Sequence, residues 1–373
     1  MVCMGLLLVL SSCSCHTGKQ ITASGLQRKD FQTEVNGQHT DLFTLSNKQG
    51  MEVCITNYGA RVVSILVPDR NGKREDVVCG FSTITEYMEQ RQNFGSTVGR
   101  YIGRILNARF TLDGVEYKLV PNNGKSGHIS HGGNPGFADR IWKVEQADTH
   151  RVRLSYLSPD GENGFPGNLK VTLVYSLGED DNALDLTYEA TTDAPTVLNL
   201  SHHSFFNISG NFTKSVEDQQ LWVDADRFTP YDDKKCVTGE YLQVAGTPLD
   251  FRMPHAIGEC IDADHPQLKV VNGYDHTWEL NTKGDDTRPA AWVYDPASGR
   301  KMEIFTTEPG MQIYTGNGLK GKMTGKGGIA YPFRSAVCFE TMHFQDSPNQ
   351  PGFPSTVLRP GEVFRSHTVY KFE

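Results

Sequence analysis

The sequence predicts an all-β fold, a large antiparallel β-sandwich with few short helices, on three observations. Its 373 residues include 37 glycines and 18 prolines, punctuation that favours short strands over long helices. Apolar, β-branched runs recur along the chain, each bounded by turn residues. Helical periodicity is weak throughout, so strands follow strands without the crossover helices that a parallel βαβ sheet needs.

The elements read in order as follows. Residues 1–29 form a leader and flexible tether, and residues 30–373 a single β-sandwich domain. Met4 to Leu10 is an apolar run with the length of a signal-peptide core, followed by Leu10-Ser11-Ser12-Cys13. That string resembles the bacterial lipobox, in which the cysteine (here Cys13) is acylated, although no Lys or Arg precedes the run. The expected location is the periplasmic side of a bacterial cell envelope, held by an N-terminal lipid anchor; without lipidation it is periplasmic or cytoplasmic. From Cys13 to Lys29 small and polar residues suit a flexible tether. Val62–Val67 then reads as a strand closed by Asp69-Arg70-Asn71-Gly72, in which Asn-Gly is a hairpin signal. Asp113-Gly114 does the same between 108–112 and 115–120. Further strands read at 152–157, 169–177, 183–190, 221–225 and 301–306. In the 183–190 run Leu184, Leu186 and Tyr188 alternate with Asp185, Thr187 and Glu189, the signature of a sheet with one wet face.

Composition excludes several classes. A formal charge of −8 without a basic tract argues against a nucleic-acid ligand. No glycine-rich phosphate loop occurs. Cys54, Cys79, Cys236, Cys260 and Cys338 are widely spaced with no CxxC pair, so they read as small buried hydrophobes and not as a zinc site or disulfide framework.

Two histidine blocks stand out. His128-Ile129-Ser130-His131-Gly132-Gly133 ends in glycines that let backbone approach a ligand closely, and Asn199–Asn207 packs His202 and His203 among aromatics. His131, His203 and a carboxylate could ligate zinc, but no metal-ligand spacing such as HExxH is present, so the expected metal is none. Two carboxylates deserve mention: Asp275, and Glu340 within the apolar stretch Val337–Thr341, where burial would raise its pKa into the range useful for proton transfer.

Taken together, ordered segments resemble the aldose 1-epimerase (galactose mutarotase) family. They are Asn57-Tyr58-Gly59-Ala60-Arg61, Gly99-Arg100-Tyr101-Ile102-Gly103-Arg104-Ile105, His131-Gly132-Gly133 with Gly136-Phe137 and Trp142, Ser158–Glu162 with Gly164–Gly167, Asn199–Asn207, Gly273–His276, Gln312–Asn317, Glu340-Thr341 and Phe353–Glu362. The resemblance implies a β-sandwich of the galactose mutarotase type that interconverts α and β anomers of free aldoses. It implies Glu340 as general base, His203 as general acid, His131 as a second catalytic histidine, and Arg104, Asp275 and Gln312 as sugar-binding residues. It further implies a monomer acting on a free monosaccharide, with no cofactor needed for the chemistry and room for a structural calcium. The chain departs from many relatives at Gly103 (often Asn), His202 (often Asn), Met342 (often Gln) and Gln345-Asp346 (often Pro-Asp), which bears on the preferred sugar. The competing readings are a non-catalytic, surface-anchored sugar-binding protein and a glycoside hydrolase that pairs Glu340 with Asp275.

Overall fold

The computed structural model describes residues 20–373. Three antiparallel sheets carry the fold. The largest has nine strands, in the order Lys143–Ala147, Arg151–Ser158, Leu169–Leu177, Ala183–Thr192, Phe364–Phe372, Lys301–Thr306, Ala291–Tyr294, Gln220–Val223 and His255–Ala256. The C-terminal strand lies in its middle, paired to Ala183–Thr192 on one side and Lys301–Thr306 on the other, so it joins two halves that are distant in sequence. Burial along Leu169–Leu177 alternates strictly, as its pattern of apolar and polar residues demands.

A six-stranded sheet runs Phe205–Phe206, Val337–Met342, Gly310–Tyr314, Asp275–Glu279, Arg227–Thr229, Leu242–Gln243. A four-stranded sheet is formed by Leu42–Ser46, Glu52–Thr56, Arg61–Pro68 and Arg74–Asp76. One apolar core joins all three, through residues such as Val62 and Ile55, Leu173 and Tyr370, and Ile313, Phe339 and Trp278. The α-helices are short, Ile84–Gln90 and Pro266–Val271. The first begins on a capping box, in which Thr83 and Glu86 satisfy each other's backbone N–H groups. Among the described residues no helix is long and apolar enough to cross a membrane.

The tether expectation needs correcting where the structure describes it. Residues 20–29 are ordered against the four-stranded sheet: Leu26 is buried, the Ala23 N–H donates to Glu52 Oε1 at 2.6 Å, and Arg28 pairs with Asp41. Leu26 supplies an apolar contact and Glu52 a buried carboxylate acceptor, and together they outweigh the small-residue composition. Cys13 lies outside the described residues.

The strings that carry the family resemblance are in part packing devices. Asn57 donates to the carbonyls of His39 and Trp142 and accepts from the Asp41 N–H, tying three segments together. Gly59, at φ +69°, leaves room for the Ala138 carbonyl that a side chain would strike. Arg61 is fully buried between the Tyr58 and Tyr87 rings and donates to the carbonyls of Gln92 (2.6 Å), Phe94 (3.1 Å) and Ala138 (2.8 Å). Arg100 is buried likewise and donates to Pro166, Gly167 and Ser158. The Gly132-Gly133 expectation also changes: a side chain at 132 would collide with the Gly99 carbonyl and one at 133 with Asn163, so the space these glycines free is filled by protein and not by a ligand.

Replacing Arg61 by Met strands the carbonyls of Phe94 and Ala138, both buried, and that of Gln92, part-buried, and a buried carbonyl left unpaired costs roughly 1–3 kcal/mol. Urea unfolding of Arg61→Met is therefore expected to lose about 3 kcal/mol or more relative to wild type, whereas a loss under about 1 kcal/mol would mean that water replaces the guanidinium.

Candidate active site

Strand alternation sorts the six-stranded sheet into two faces. Val337, Phe339, Met311, Ile313 and Trp278 point into the core. Residues of the opposite alternation on the same strands, Glu340, Met342, Gln312, Tyr314 and Asp275, line a cleft of about 270 Å³ on the other face. The register sets Thr277, Gln312 and Glu340 in one cross-strand row and Asp275, Tyr314 and Cys338 in the next. This volume lies just below the roughly 300–1,000 Å³ typical of small-molecule sites, which suits one sugar ring better than an oligosaccharide.

Two short ladders bring up the remaining wall. His203 ends the strand Ser201–His203, held opposite Ser96, and its carbonyl accepts from the Gly95 N–H. Arg104 is paired with Ser130, and the His131 N–H donates to the Gly103 carbonyl, so Arg104 and His131 share a rim. All six residues expected at the site, Glu340, His203, His131, Arg104, Asp275 and Gln312, line this one cleft.

The centre of the cleft is His203 Nε2 facing Glu340 Oε1 at 3.4 Å, with both side chains almost wholly shielded from solvent. The imidazole stacks on Phe205 at 5.1 Å and meets the edge of His131 at 5.5 Å, while its Nδ1 faces Cys338 Sγ at 3.7 Å. Burial, and after it the charge of Asp275, pushes the Glu340 carboxyl well above the ordinary carboxylate range. Burial, and after it the neighbouring His131, drives His203 well below the ordinary histidine range. Adding a proton to this pair or removing its last one leaves a buried net charge, so the pair retains one proton over a wide pH range. His131 is held down to about 4 by burial and the Arg104 charge, so it is neutral and donates from a ring N–H.

Gln312 steadies the carboxylate at the far end. Its Nε2 donates to Asp275 Oδ1 at 2.6 Å, and its Oε1 accepts from Thr277 Oγ1 at 2.5 Å. Among the described residues no donor bonds Asp275 Oδ2, which is available to a ligand. Burial raises the Asp275 pKa, opposed by Arg104 and by this hydrogen bond.

Other residues singled out in the sequence lie elsewhere. His202 is buried on the opposite side of its strand, bonded to Ser204 Oγ at 2.7 Å and pushed down to about 3, a neutral structural residue. His128 accepts from the Asn107 N–H and faces Cys236 Sγ at 3.3 Å. All five described cysteines are free, and Cys54, Cys79 and Cys338 are buried. Among the described residues one trio of potential metal ligands occurs, His203, Cys338 and Glu340, with ligand atoms within 4.8 Å of one another. It differs from the set expected with His131, and burial drives its thiol well up, away from the thiolate a metal needs. A calcium site favours several oxygen ligands, and no trio of carboxylates gathers among the described residues.

Two cleft residues carry no signal in the sequence, Gln92 and Asn93; Phe205 and Tyr314 appear only within longer motifs, and Gln345 only as a departure from a common string. Tyr314 was recoverable from alternation, two residues on from Gln312. Asn93 and Gln345 sit in irregular backbone, where no periodicity points.

Comparison with known proteins gives the family of the chain. Residues 41–371 match the model of the family described as aldose 1-epimerase. The chain is 40% identical to the galactose mutarotase of Bos taurus over 88% of its own length and 93% of the relative's. It is 36% identical to the aldose 1-epimerase of Escherichia coli K12, over 90% and 96%. Among solved structures, an aldose epimerase homologue from C. elegans superposes with a TM-score of 0.82 at 31% identity, covering 90% of this chain and 99% of that one. The galactose 1-epimerase of Lactobacillus acidophilus follows with a TM-score of 0.79 at 28% identity, over 92% and 97%. A family match spanning nearly the whole described chain, joined to a buried histidine–glutamate pair in a monosaccharide-sized cleft, places this protein in the aldose 1-epimerase family.

Proposed function

We propose that this chain interconverts the α and β anomers of free aldoses, hexoses such as galactose and glucose among them, by acid–base opening and reclosure of the ring. The observation that carries the reading is the 3.4 Å approach of His203 Nε2 to Glu340 Oε1 inside a cleft sized for one ring.

A cyclic aldose is a hemiacetal. The Glu340 carboxylate removes the O1 proton while the His203 imidazolium gives its Nε2 proton to the ring oxygen. The C1–O5 bond breaks and C1 becomes an aldehyde carbon. Rotation about C1–C2 turns the other carbonyl face toward O5, and reclosure returns both protons. The pair holds one proton throughout, on His203 in the form that reacts and on Glu340 after ring opening, so the buried site never acquires a net charge. Arg104 and neutral His131 donate to the oxygens on which charge develops, and Asp275, steadied by Gln312, accepts from ring hydroxyls. Only protons move, and no redox or group-transfer cofactor enters the balance. A sugar-binding protein without activity would have no use for a buried acid–base pair, and every residue invoked belongs to one chain, so a monomer suffices.

Polarimetry of freshly dissolved α-D-galactose tests the roles. Wild type is expected to speed equilibration strongly, and Glu340→Gln and His203→Asn each to lose roughly 10²- to 10⁴-fold of that gain while still unfolding cooperatively. An unchanged rate in either variant removes that residue from the mechanism, and release of reducing ends from a disaccharide would favour hydrolysis instead.

We further infer a cell-envelope location, supported by Leu10-Ser11-Ser12-Cys13 behind its apolar run. Stable anchoring takes more than one acyl chain, as a lipoprotein carries. The full chain expressed in a bacterium should sediment with membranes, and Cys13→Ala should release it to the soluble fraction; equal partitioning of the two would rule out acylation at Cys13.

A further inference from the structure

Gln345 lines the cleft, yet ring opening as written above gives it no task. Its position depends on Gly103, which lines the same cleft at φ +72°. A Cβ at 103 would lie 2.5 Å from Gln345 Cγ and 2.9 Å from Cδ, so only bare backbone lets the glutamine side chain lie across residues 103 and 104.

The carboxamide is held in one orientation. Its Oε1 accepts from the Arg104 N–H at 3.2 Å. Its Nε2 donates to the Tyr231 hydroxyl at 2.7 Å and faces Gln312 Oε1 at 3.4 Å. Turning the amide over would set an NH₂ against the Arg104 N–H and an oxygen against Gln312 Oε1, two repulsive contacts. With the amide fixed, Oε1 keeps one lone pair that no donor among the described residues fills. The side chain is only 4% exposed, so water reaches it through the cleft alone. A buried acceptor with a spare lone pair favours a ligand with a hydroxyl there over one without it.

We propose that Gln345 is a specificity-determining residue, whose Oε1 accepts from one secondary hydroxyl of the sugar on the part of the ring held by Asp275 and Gln312. Gly103 is the permissive half of the arrangement. The ligand class is a pyranose carrying that hydroxyl in one configuration, and its deoxy analogue is a poor ligand. The proposal rests on the aldose reading of the cleft, but it is tested by binding and so does not depend on turnover.

Calorimetric titration of the full chain with D-galactose and with its 2-, 3-, 4- and 6-deoxy analogues decides it, using wild type, Gln345→Met and Gly103→Ala. Met preserves the bulk of the side chain and removes its polar atoms. Gln345→Met is expected to weaken galactose binding about 3- to 10-fold, the worth of one hydrogen bond. One deoxy analogue should bind wild type weaker by a similar factor, and for that analogue Gln345→Met and wild type should agree within about twofold. Gly103→Ala, whose methyl displaces the glutamine, should reproduce the pattern and carries the comparison on its own if Gln345→Met does not fold. The proposal is overturned if Gln345→Met binds galactose as tightly as wild type, or if it weakens galactose and all four analogues by the same factor. Wild type that binds these sugars without speeding anomer exchange would contradict the proposed activity and leave this assignment standing.

Discussion

An imidazole and a carboxyl group, closed off from water 3.4 Å apart, form the constraint on which the rest of this molecule depends. Neither His203 nor Glu340 can carry an unbalanced charge there cheaply, because burial disfavours the ionised form of each. Ring opening of a hemiacetal suits such a site, because a proton leaves one oxygen as another reaches a second oxygen. In the proposed mechanism one proton shifts between the partners and the total is unchanged. In that mechanism the low dielectric strengthens the hydrogen bonds that Arg104 and His131 would offer to a bound sugar.

The sheet produces this geometry through alternation and register alone. Glu340 stands between two core residues, Phe339 and Thr341, so its strand points it away from the core and into the cleft. Gln312 lies directly across the ladder from it, and Thr277 directly beyond. A slip of one residue in Val337–Met342 would turn Phe339 into the cleft and Glu340 into the core. Tyr370, from the central C-terminal strand, donates to the Phe339 carbonyl, and Thr341 bonds to Thr368 of the same strand, so the large sheet braces the strand that carries Glu340 from behind.

Much of this was legible in the sequence, for identifiable reasons. The alternation of Leu184, Leu186 and Tyr188 with polar partners marked a central strand of the large sheet, and an acidic residue within Val337–Thr341 marked a carboxyl with restricted access to water. The six site residues were assigned by family resemblance, and strand register and two short ladders bring them together. What stayed hidden depends on contacts between distant segments. Composition suggested that residues 20–29 were loose, but their order comes from Glu52, on a strand that local composition does not connect to them. The Gly132-Gly133 pair looked like an opening for a ligand, and its neighbours proved to be Gly99 and Asn163. Gln345 looked like a mere departure from a common string until its side chain was found lying over Gly103.

The claim that a single proton is shared across the buried pair is met most directly by the pH dependence of kcat/KM for anomer exchange, with the uncatalysed rate subtracted. A second proton enters only below the lowered His203 pKa and abolishes the base; the last proton leaves only above the raised Glu340 pKa and abolishes the acid. The expected profile is a broad plateau that runs flat through about pH 6.5, where an ordinary histidine titrates. A narrow bell with either limb centred near that value would mean that His203 titrates as a solvated group, and would contradict the account.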